Sequence, residues 1–306
     1  MTLGLGTGTR LAASTAEGAA ALRAAGARER DERIRGTDHL AARFVTGGPR
    51  LTAIVKVPLL RGVAPRLAER VLPGSYWFEI ARVRHMDALI GEELKAGARQ
   101  LVILGAGFDT RAHRLAHRLS GVTTFEVDHP ATAAVKRERV RQVFGALPAR
   151  IRYVEADLNA GSLQRPLADA GHRHDRPTVV LWSGVSPYLR PHGVEGVLGW
   201  VANRTAPGSA LIFDYVFREA LDESAFFYGA PQLRRRVAAG GEPLIFGIPR
   251  GFCAEFLEAH GLQLVSDLGP EELERRYLLR GEHLAGRPYG FVSIAHTRVR
   301  EVEKRF

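Results

Sequence analysis

Cysteine is almost absent from this sequence, since Cys253 is the only one in 306 residues. A single cysteine cannot form a disulfide within the chain, and it excludes a zinc site built from several thiolates. We therefore predict that the protein binds no metal. Free cysteines are often buried, and the apolar residues around Cys253 favour a structural role for it.

Lysine and long apolar runs are also scarce. Lysine occurs only at positions 56, 95, 136 and 304, so the net charge of +10 comes mainly from arginine. The arginines are spread along the chain among acidic residues, which argues against a nucleic-acid partner. No apolar stretch approaches the ~20 residues of a membrane span, and the first ten residues lack the apolar centre of a signal peptide. The sequence thus predicts a soluble cytoplasmic protein without a membrane partner.

Hydrophobic residues make up 45% of the chain, which is enough for a large core. Beyond residue 100, short apolar runs alternate with segments of helical pattern. These runs are 101–104, 122–127, 151–155, 178–182, 210–213, 262–265 and 290–295. Continuous apolar strands, each followed by a helix, predict an α/β fold with a mostly parallel seven-stranded sheet and helices on both faces.

The first 80 residues show helical patterns and no clear strand. Ser14 or Thr15 is the predicted start of an Ala-rich helix that runs to Arg30. Between 217 and 250 the strand and helix alternation breaks into a segment rich in aromatic residues and arginine. We predict a helical cap over 1–80 and a core over 81–306 that carries a lid insertion at about 217–250, all in one structural domain.

A glycine turn provides the strongest local signal. Gly105-Ala106-Gly107 follows the first predicted strand directly, and glycine allows a sharp turn with close approach of the backbone to a ligand. Thr110 stands where the dinucleotide fingerprint has its third glycine, so a pyrophosphate site is not favoured. The turn suits a cofactor without phosphates.

Acidic residues end the next two strands. Asp128 lies 23 positions after Gly105, where a carboxylate can accept hydrogen bonds from both ribose hydroxyls of an adenosine. Glu126 shares its face of the strand. Asp157 can accept from the amino group of adenine, and the backbone N–H of Leu158 can donate to a ring nitrogen. Together these positions predict an adenosine-binding crevice.

These motifs resemble the leucine carboxyl methyltransferase-like (PPM) family of class I S-adenosylmethionine-dependent methyltransferases. The resemblance covers about residues 14–298. It is carried by 105–111, by 125–130 with Lys136, by 157–158 and by 184–189, with weaker likeness at 15–24 and 38–41. It implies a Rossmann-like fold, S-adenosyl-L-methionine as the cofactor, S-adenosyl-L-homocysteine as the product, and no metal.

The resemblance also assigns residues to the cofactor. These are Arg23, Arg82, Gly105, Ala106, Gly107, Asp109, Asp128, Asp157, Leu158 and Ser183. Arg23 and Arg82 would hold the cofactor's carboxylate, because arginine forms bidentate pairs with carboxylates. Many family members have Glu where this chain has Ser183, so a contact with the cationic end of the cofactor is lost or replaced here.

The acceptor is less well defined by the sequence. Transfer from a sulfonium needs alignment and a dry pocket, and no His or carboxylate pattern marks a general base, which favours a carboxylate or an acidic hydroxyl as acceptor. No catalytic residue is assigned. The candidates for substrate contact are Tyr188, Tyr215, Phe227 and Tyr277. We expect O-methylation of a small molecule, in secondary metabolism, with three alternatives: a protein or peptide carboxyl methyltransferase, an RNA-modifying enzyme, and a non-catalytic cofactor-binding protein.

Overall fold

The computed structural model describes residues 7–45, 63–161 and 163–300. Its N-terminal part contains helices α1 (Thr7–Gly26), α2 (Ala41–Phe44), α3 (Val63–Val71) and α4 (Ser75–Lys95). Helix α1 packs against α4, and α4 is buried along most of its length.

Helix α1 begins before its predicted start. Positions 14 and 15 lie inside the helix, so the predicted N-cap at Ser14 or Thr15 is wrong. Residues 11–13 are Leu, Ala and Ala, which are strong helix formers and continue the helix toward Thr7. The helix ends at Gly26 and not at Arg30.

Strands and helices alternate through the rest of the chain. In order they are β1 (Gln100–Leu104), α5 (Arg111–Arg114), β2 (Thr123–Asp128), α6 (Pro130–Phe144), β3 (Ile151–Glu155), α7 (Gln164–Asp169), β4 (Thr178–Trp182), α8 (Pro191–Arg204), β5 (Ala210–Val216), α9 (Arg218–Leu221), α10 (Ala230–Ala239), α11 (Cys253–Glu258), β6 (Leu262–Leu268), α12 (Pro270–Tyr277), β7 (Leu279–Arg280), β8 (His283–Leu284) and β9 (Val292–Val299). A 3₁₀ turn at Ser186–Tyr188 follows β4.

Seven of these strands form one sheet in the order β3-β2-β1-β4-β5-β9-β6. Neighbours from β3 to β5 are parallel, and β9 runs antiparallel to both β5 and β6. The predicted α/β fold with a seven-stranded, mostly parallel sheet is therefore confirmed. The central strands β1, β4 and β5 are buried throughout, as expected for strands that helices cover on both faces.

Three strands extend well beyond their apolar runs, and one of them is β6, which continues from 265 to Leu268. In β5, Asp214 and Tyr215 continue the ladder opposite Ile294 and Ser293 of β9. Strand β9 likewise continues through polar residues to Val299 and was predicted to end at 295. A hydrophobicity pattern does not detect these strand ends because they contain polar side chains. The backbone of these residues nevertheless pairs with the neighbouring strands. The short β7–β8 ribbon was not predicted for a similar reason, since its residues are exposed.

Residues 217–250, the predicted lid insertion, leave β5 and return to it. Ile248 N donates to Val216 O at 3.1 Å, and Arg218 N donates to Ile248 O at 3.0 Å. Just before this return, the backbone N–H groups of 245 and 246 both donate to Pro187 O, at 2.6 and 3.0 Å. These bonds hold the insertion against the 3₁₀ turn that follows β4.

Candidate functional site

The carboxyl ends of the central strands border a cavity of about 230 Å³. Ligands of open α/β sheets bind at this edge, where the loops after neighbouring strands meet. The lining includes eight of the ten residues predicted to bind a cofactor: Arg23, Arg82, Gly105, Ala106, Gly107, Asp109, Asp128 and Ser183. Tyr188, a predicted substrate contact, also lines it.

The glycine turn forms one wall of the cavity. Gly105 has φ of +60°, and a Cβ at this position would lie 2.4 Å from Val185 Cγ2. Glycine is therefore required both by the backbone conformation and by the closeness of the loop after β4. Ala106 N donates to Val127 O at 3.0 Å, which fixes the turn to the end of β2.

Asp128 joins the end of β2 to this turn. Its Oδ2 accepts from Gly107 N at 2.6 Å, and its Oδ1 accepts from His129 N at 2.8 Å. Burial raises the pKa of Asp128, and the two backbone hydrogen bonds oppose that rise. Two amides thus orient the carboxylate at the cavity wall.

Lys136 stabilises the glycine turn by donating to backbone carbonyl groups. Its Nζ donates to Asp109 O at 2.9 Å and to Ala106 O at 3.3 Å, and lies 2.8 Å from Glu126 Oε1. Burial raises the pKa of Glu126 to about 7, although the charge of Lys136 acts in the opposite direction. Glu126 therefore lies beneath the turn with Lys136, and of the two acidic residues of β2 only Asp128 reaches the cavity.

Asp109 is bound by an arginine of its own loop. Its Oδ1 accepts from Arg111 N at 2.7 Å, and the Arg111 guanidinium contacts its other oxygen. Burial would raise the pKa of Asp109, but Arg111 holds it below the usual range. Arg111 Nε also donates to Asp87 Oδ1 at 2.8 Å, and Asp87 accepts from Arg114 at 2.6 Å. Asp87, on α4, is a buried member of this network that the sequence did not reveal.

Arg23 reaches the cavity from α1. Its Nε donates to Asp38 Oδ2 at 2.9 Å, and its Nη2 donates to Phe108 O at 2.8 Å. Asp38 is 2% exposed and also accepts from Thr110 Oγ1 at 2.5 Å. Asp38 lies in the stretch 38–41 that resembles the family. No local pattern showed that its carboxylate would bind both Arg23 of α1 and Thr110 after the glycine turn.

Arg82, on α4, also lines the cavity. It donates to Asp214 Oδ2 at 2.8 Å and contacts Glu79 Oε1. Burial alone would lower the pKa of Arg82, but the two carboxylates raise it above its ordinary value. Asp214 Oδ1 also accepts from Gly184 N at 2.6 Å. A Cβ at Gly184, where φ is +71°, would lie 2.7 Å from the Arg82 guanidinium, so glycine lets this loop close over Arg82.

The lid insertion contributes Glu242 to the lining. Glu242 N donates to Val237 O at 2.9 Å where α10 ends, and this bond turns the chain toward the cavity. Burial first, and then the charge of Glu242, raises the pKa of Tyr188 to about 12. Sequence reasoning missed Glu242 because it belongs to no motif and depends on the path of the lid insertion.

Five predicted residues lie outside this cavity. Asp157 is exposed just beyond β3, where its Oδ1 accepts from Asn159 N at 2.8 Å, and Leu158 is buried beside it. Tyr215 donates to Asp267 Oδ2 at 2.7 Å, and Tyr277 OH lies 2.8 Å from His85 Nδ1. Phe227 packs against Phe217 with ring centroids 5.7 Å apart.

The described residues show neither a metal cluster nor a membrane-spanning helix. In the ranges 7–45, 63–161 and 163–300, no group of three or more His, Cys, Asp or Glu side chains is placed to hold a metal ion. None of the helices in those ranges combines the length and apolar character that a bilayer span requires.

The strand order and the cavity at the glycine turn define an α/β protein with the class I methyltransferase fold. A DUF574 family protein from Streptomyces avermitilis superposes with a TM-score of 0.57 at 17% identity, covering 84% of this chain and 95% of that one. A Thermobifida fusca protein named as a methyltransferase gives 0.52 at 18% identity, with 79% and 89% covered. Both likenesses concern the fold alone.

The chain belongs to the leucine carboxyl methyltransferase family, whose family model matches residues 16–202. YktD of Bacillus subtilis, named as an S-adenosyl-L-methionine-dependent methyltransferase, is 28% identical over 63% of this chain and 64% of its own length. A Mycolicibacterium paratuberculosis protein with the same description is 34% identical over 66% of this chain and 63% of its own. The chain thus spans a little less than two thirds of these relatives.

Proposed function

We propose that the protein is an S-adenosyl-L-methionine-dependent methyltransferase that methylates a carboxylate or hydroxyl of a small molecule. The geometry of Asp128 carries the cofactor assignment. A carboxylate offers about four acceptor positions, and the amides of Gly107 and His129 occupy two of them. Two positions are left for the two hydroxyls of a ribose at the cavity wall.

The charges of the lining also suit a cofactor without phosphates. Arg23, Arg82 and Arg111 are each paired with one or more carboxylates of the chain. A pyrophosphate would need cations that are not already neutralised in this way. The same pairs mean that Arg23 and Arg82 could hold the cofactor's carboxylate, as the sequence predicted, only while they share their charge with Asp38, Glu79 and Asp214. Family membership and the names of the relatives support the same cofactor.

When bound, S-adenosyl-L-methionine supplies a methyl group on a positively charged sulfur that is already a good leaving group. The chain then has to bind, orient and dehydrate the reactants. Asp128 and the glycine turn would orient the ribose. Phe108 and Val185 add apolar surface to the lining, and the bonds from the lid insertion to Pro187 help to exclude water.

The enclosure of the cleft supports a small acceptor. The cleft is lined by residues of α1, of α4, of the strand ends and of the lid insertion, and such a cleft admits a small molecule more readily than the surface of a folded protein. The family's name keeps a peptide carboxylate as the alternative. Secondary metabolism and a cytoplasmic location stay predictions of the sequence.

Calorimetric titration with S-adenosyl-L-homocysteine tests the cofactor assignment. Replacing Asp128 with Ala should weaken binding at least tenfold, about 1.4 kcal/mol, because ribose hydrogen bonds are lost. The exposed Asp175 provides the control, and Asp175→Ala should bind as the wild type does. Unchanged affinity in Asp128→Ala would overturn the ribose contact, and a wild-type protein that does not bind would overturn the function.

The acceptor class needs a separate experiment. The protein is incubated with S-adenosyl-L-methionine labelled in its methyl group and with a panel of phenols, hydroxy acids and peptides with free C-terminal carboxylates. We expect label in a phenol or hydroxy acid. Label in the peptides alone would replace the small-molecule proposal with peptide carboxyl methylation.

A further inference from the structure

Thr132 lies in the lining of the cavity together with Asp128, the residue assigned to the ribose. It belongs to the first turn of α6, which begins at Pro130 shortly after the end of β2. Lys136, one turn farther along the same face of the helix, donates to two carbonyl groups of the glycine turn. The face of α6 that carries Thr132 is therefore the one turned toward the glycine turn and the cavity.

The Thr132 hydroxyl is a buried polar group at the cavity wall, since the residue is only 7% exposed. Other buried threonines use their hydroxyls within the fold. Thr110 donates to Asp38 Oδ1 at 2.5 Å, and Thr205 donates to Val201 O at 2.7 Å. The Thr132 hydroxyl forms no such bond to the residues that the structure describes. Buried polar groups are normally hydrogen-bonded, so this hydroxyl points to a ligand in the cavity.

Ser183 and Tyr188 also bring hydroxyls to the lining, but from another part of the sheet edge. Both follow β4, and β1 lies between β4 and β2 in the sheet. Neighbouring strands are about 4.8 Å apart, so the ends of β2 and β4 are separated by roughly 10 Å. Of these three hydroxyls, that of Thr132 is the one carried by the helix that follows β2 and Asp128.

A ribose bound to Asp128 needs a donor as well as an acceptor. An ionised carboxylate only accepts hydrogen bonds, so a ribose hydroxyl that donates to Asp128 keeps lone pairs without a donor. An acceptor left unpaired in a cavity shielded from water weakens binding. Thr132 can supply the O–H. The positive end of the dipole of α6, a helix of 15 residues, also favours an electronegative oxygen at this place.

We propose that the Thr132 hydroxyl donates a hydrogen bond to a ribose hydroxyl of the cofactor, which in turn donates to Asp128. This contact rests on the proposed function and adds to the ribose site a residue that no motif of the sequence marked. Because the contact needs the hydroxyl on the sugar, Thr132 should help the site to distinguish a ribose from a deoxyribose.

Calorimetric titrations with S-adenosyl-L-homocysteine and with its 2′-deoxy and 3′-deoxy analogues test this contact. Thr132→Val removes the hydroxyl and keeps the branched shape of the side chain. It should weaken binding of S-adenosyl-L-homocysteine about fivefold, about 1 kcal/mol. For one of the two deoxy analogues, the affinities of the wild type and of Thr132→Val should agree within about twofold, because the ribose hydroxyl that Thr132 contacts is already absent.

Two further variants serve as controls. Thr132→Ser keeps an O–H at the same place and should retain the wild-type affinities, and a loss as large as that of Thr132→Val would overturn the contact. Thr297→Val removes a hydroxyl that is buried on β9, outside the cavity lining, and has no partner among the described residues. It should change none of the three affinities. If it weakens binding as Thr132→Val does, the effect is not specific to Thr132 and the contact is overturned.

The remaining outcomes separate the contact from the function on which it rests. If the wild type binds S-adenosyl-L-homocysteine and Thr132→Val binds it equally well, the contact is overturned while the function stands. An equal loss for all three ligands also overturns it, because the change then acts through the start of α6. If the wild type does not bind S-adenosyl-L-homocysteine, the proposed function itself fails. Thr132→Ala replaces a Val variant that does not fold, and the same comparison of the three ligands applies to it.

Discussion

Two sides of the cavity are built in different ways. The glycine-loop side (Gly105, Gly107 and Asp128) is held mainly by backbone groups, with amides donating to a carboxylate and Lys136 donating to carbonyls. The lid side, which we define by Arg82, Tyr188 and Glu242 of the lining, is held by ion pairs between side chains of α4 and β5 and by the returning lid insertion. Backbone contacts within one short stretch of chain leave little freedom for change. Side chains from distant segments can be exchanged one at a time, so the lid side is freer to change.

Gly105→Ala, on the glycine-loop side, should cause the largest loss of stability among these variants. The new Cβ would lie 2.4 Å from Val185 Cγ2 in a backbone with φ of +60°. The free energy of unfolding should fall by about 4 kcal/mol, from roughly 1–2 kcal/mol of backbone strain and 1–3 kcal/mol of overpacking. Urea unfolding followed by circular dichroism measures this loss.

Gly121→Ala is the control for that change. Gly121 has φ of +76°, and a Cβ there would meet nothing within 4 Å. It should lose only the backbone part, about 1–2 kcal/mol. Equal losses of unfolding free energy in the two variants would show that the close approach of position 105 to the Val185 side chain does not affect stability.

The Glu126 carboxylate beneath the glycine turn should make stability depend on pH. Its pKa in the folded protein is raised from 4.5 to about 7. The contribution of Glu126 to the free energy of unfolding is therefore fully present below pH 4.5 and is lost as the pH rises through 7. Relative to Glu126→Gln, the wild type should lose roughly 3 kcal/mol of unfolding free energy across that window, at about 1.36 kcal/mol for each pKa unit. Urea titrations at pH 4.5, 6 and 8 would show it. A constant difference between the two proteins would contradict the prediction.

Asp214→Asn should give the smallest of these effects. It tests how much the ion pair between Arg82 and Asp214 on the lid side contributes to stability. The amide can still accept from Gly184 N, and Arg82 keeps Glu79 as a partner. The loss of one of the two buried pairs should lower the unfolding free energy by about 2 kcal/mol. Asp175→Asn, at an exposed pair with Arg173, should leave the urea midpoint unchanged. If both variants behave alike, the ion pairs of the lid side do not stabilise the fold.

The sequence predicted the glycine-loop side and the sheet because their signals are local. Apolar runs gave the strands, and the spacing from Gly105 to Asp128 gave two walls of the cavity. The partners Asp38, Asp87 and Asp214 could not be placed, because each lies far in the chain from the arginine that it binds. Tyr215 follows a predicted strand end and Tyr277 follows two arginines, but tertiary packing directs them to Asp267 and His85.

Strand β9 has a consequence for the order in which the sheet is assembled. It lies between β5 and β6, and among the residues that the structure describes it is the one strand hydrogen-bonded to β6 in the sheet. During synthesis, residues 262–268 leave the ribosome before 292–299 do, and until then the edges of β5 and β6 both lack their partner. That half of the sheet therefore closes late, and its exposed edges are where a nascent chain would be most open to pairing with another molecule.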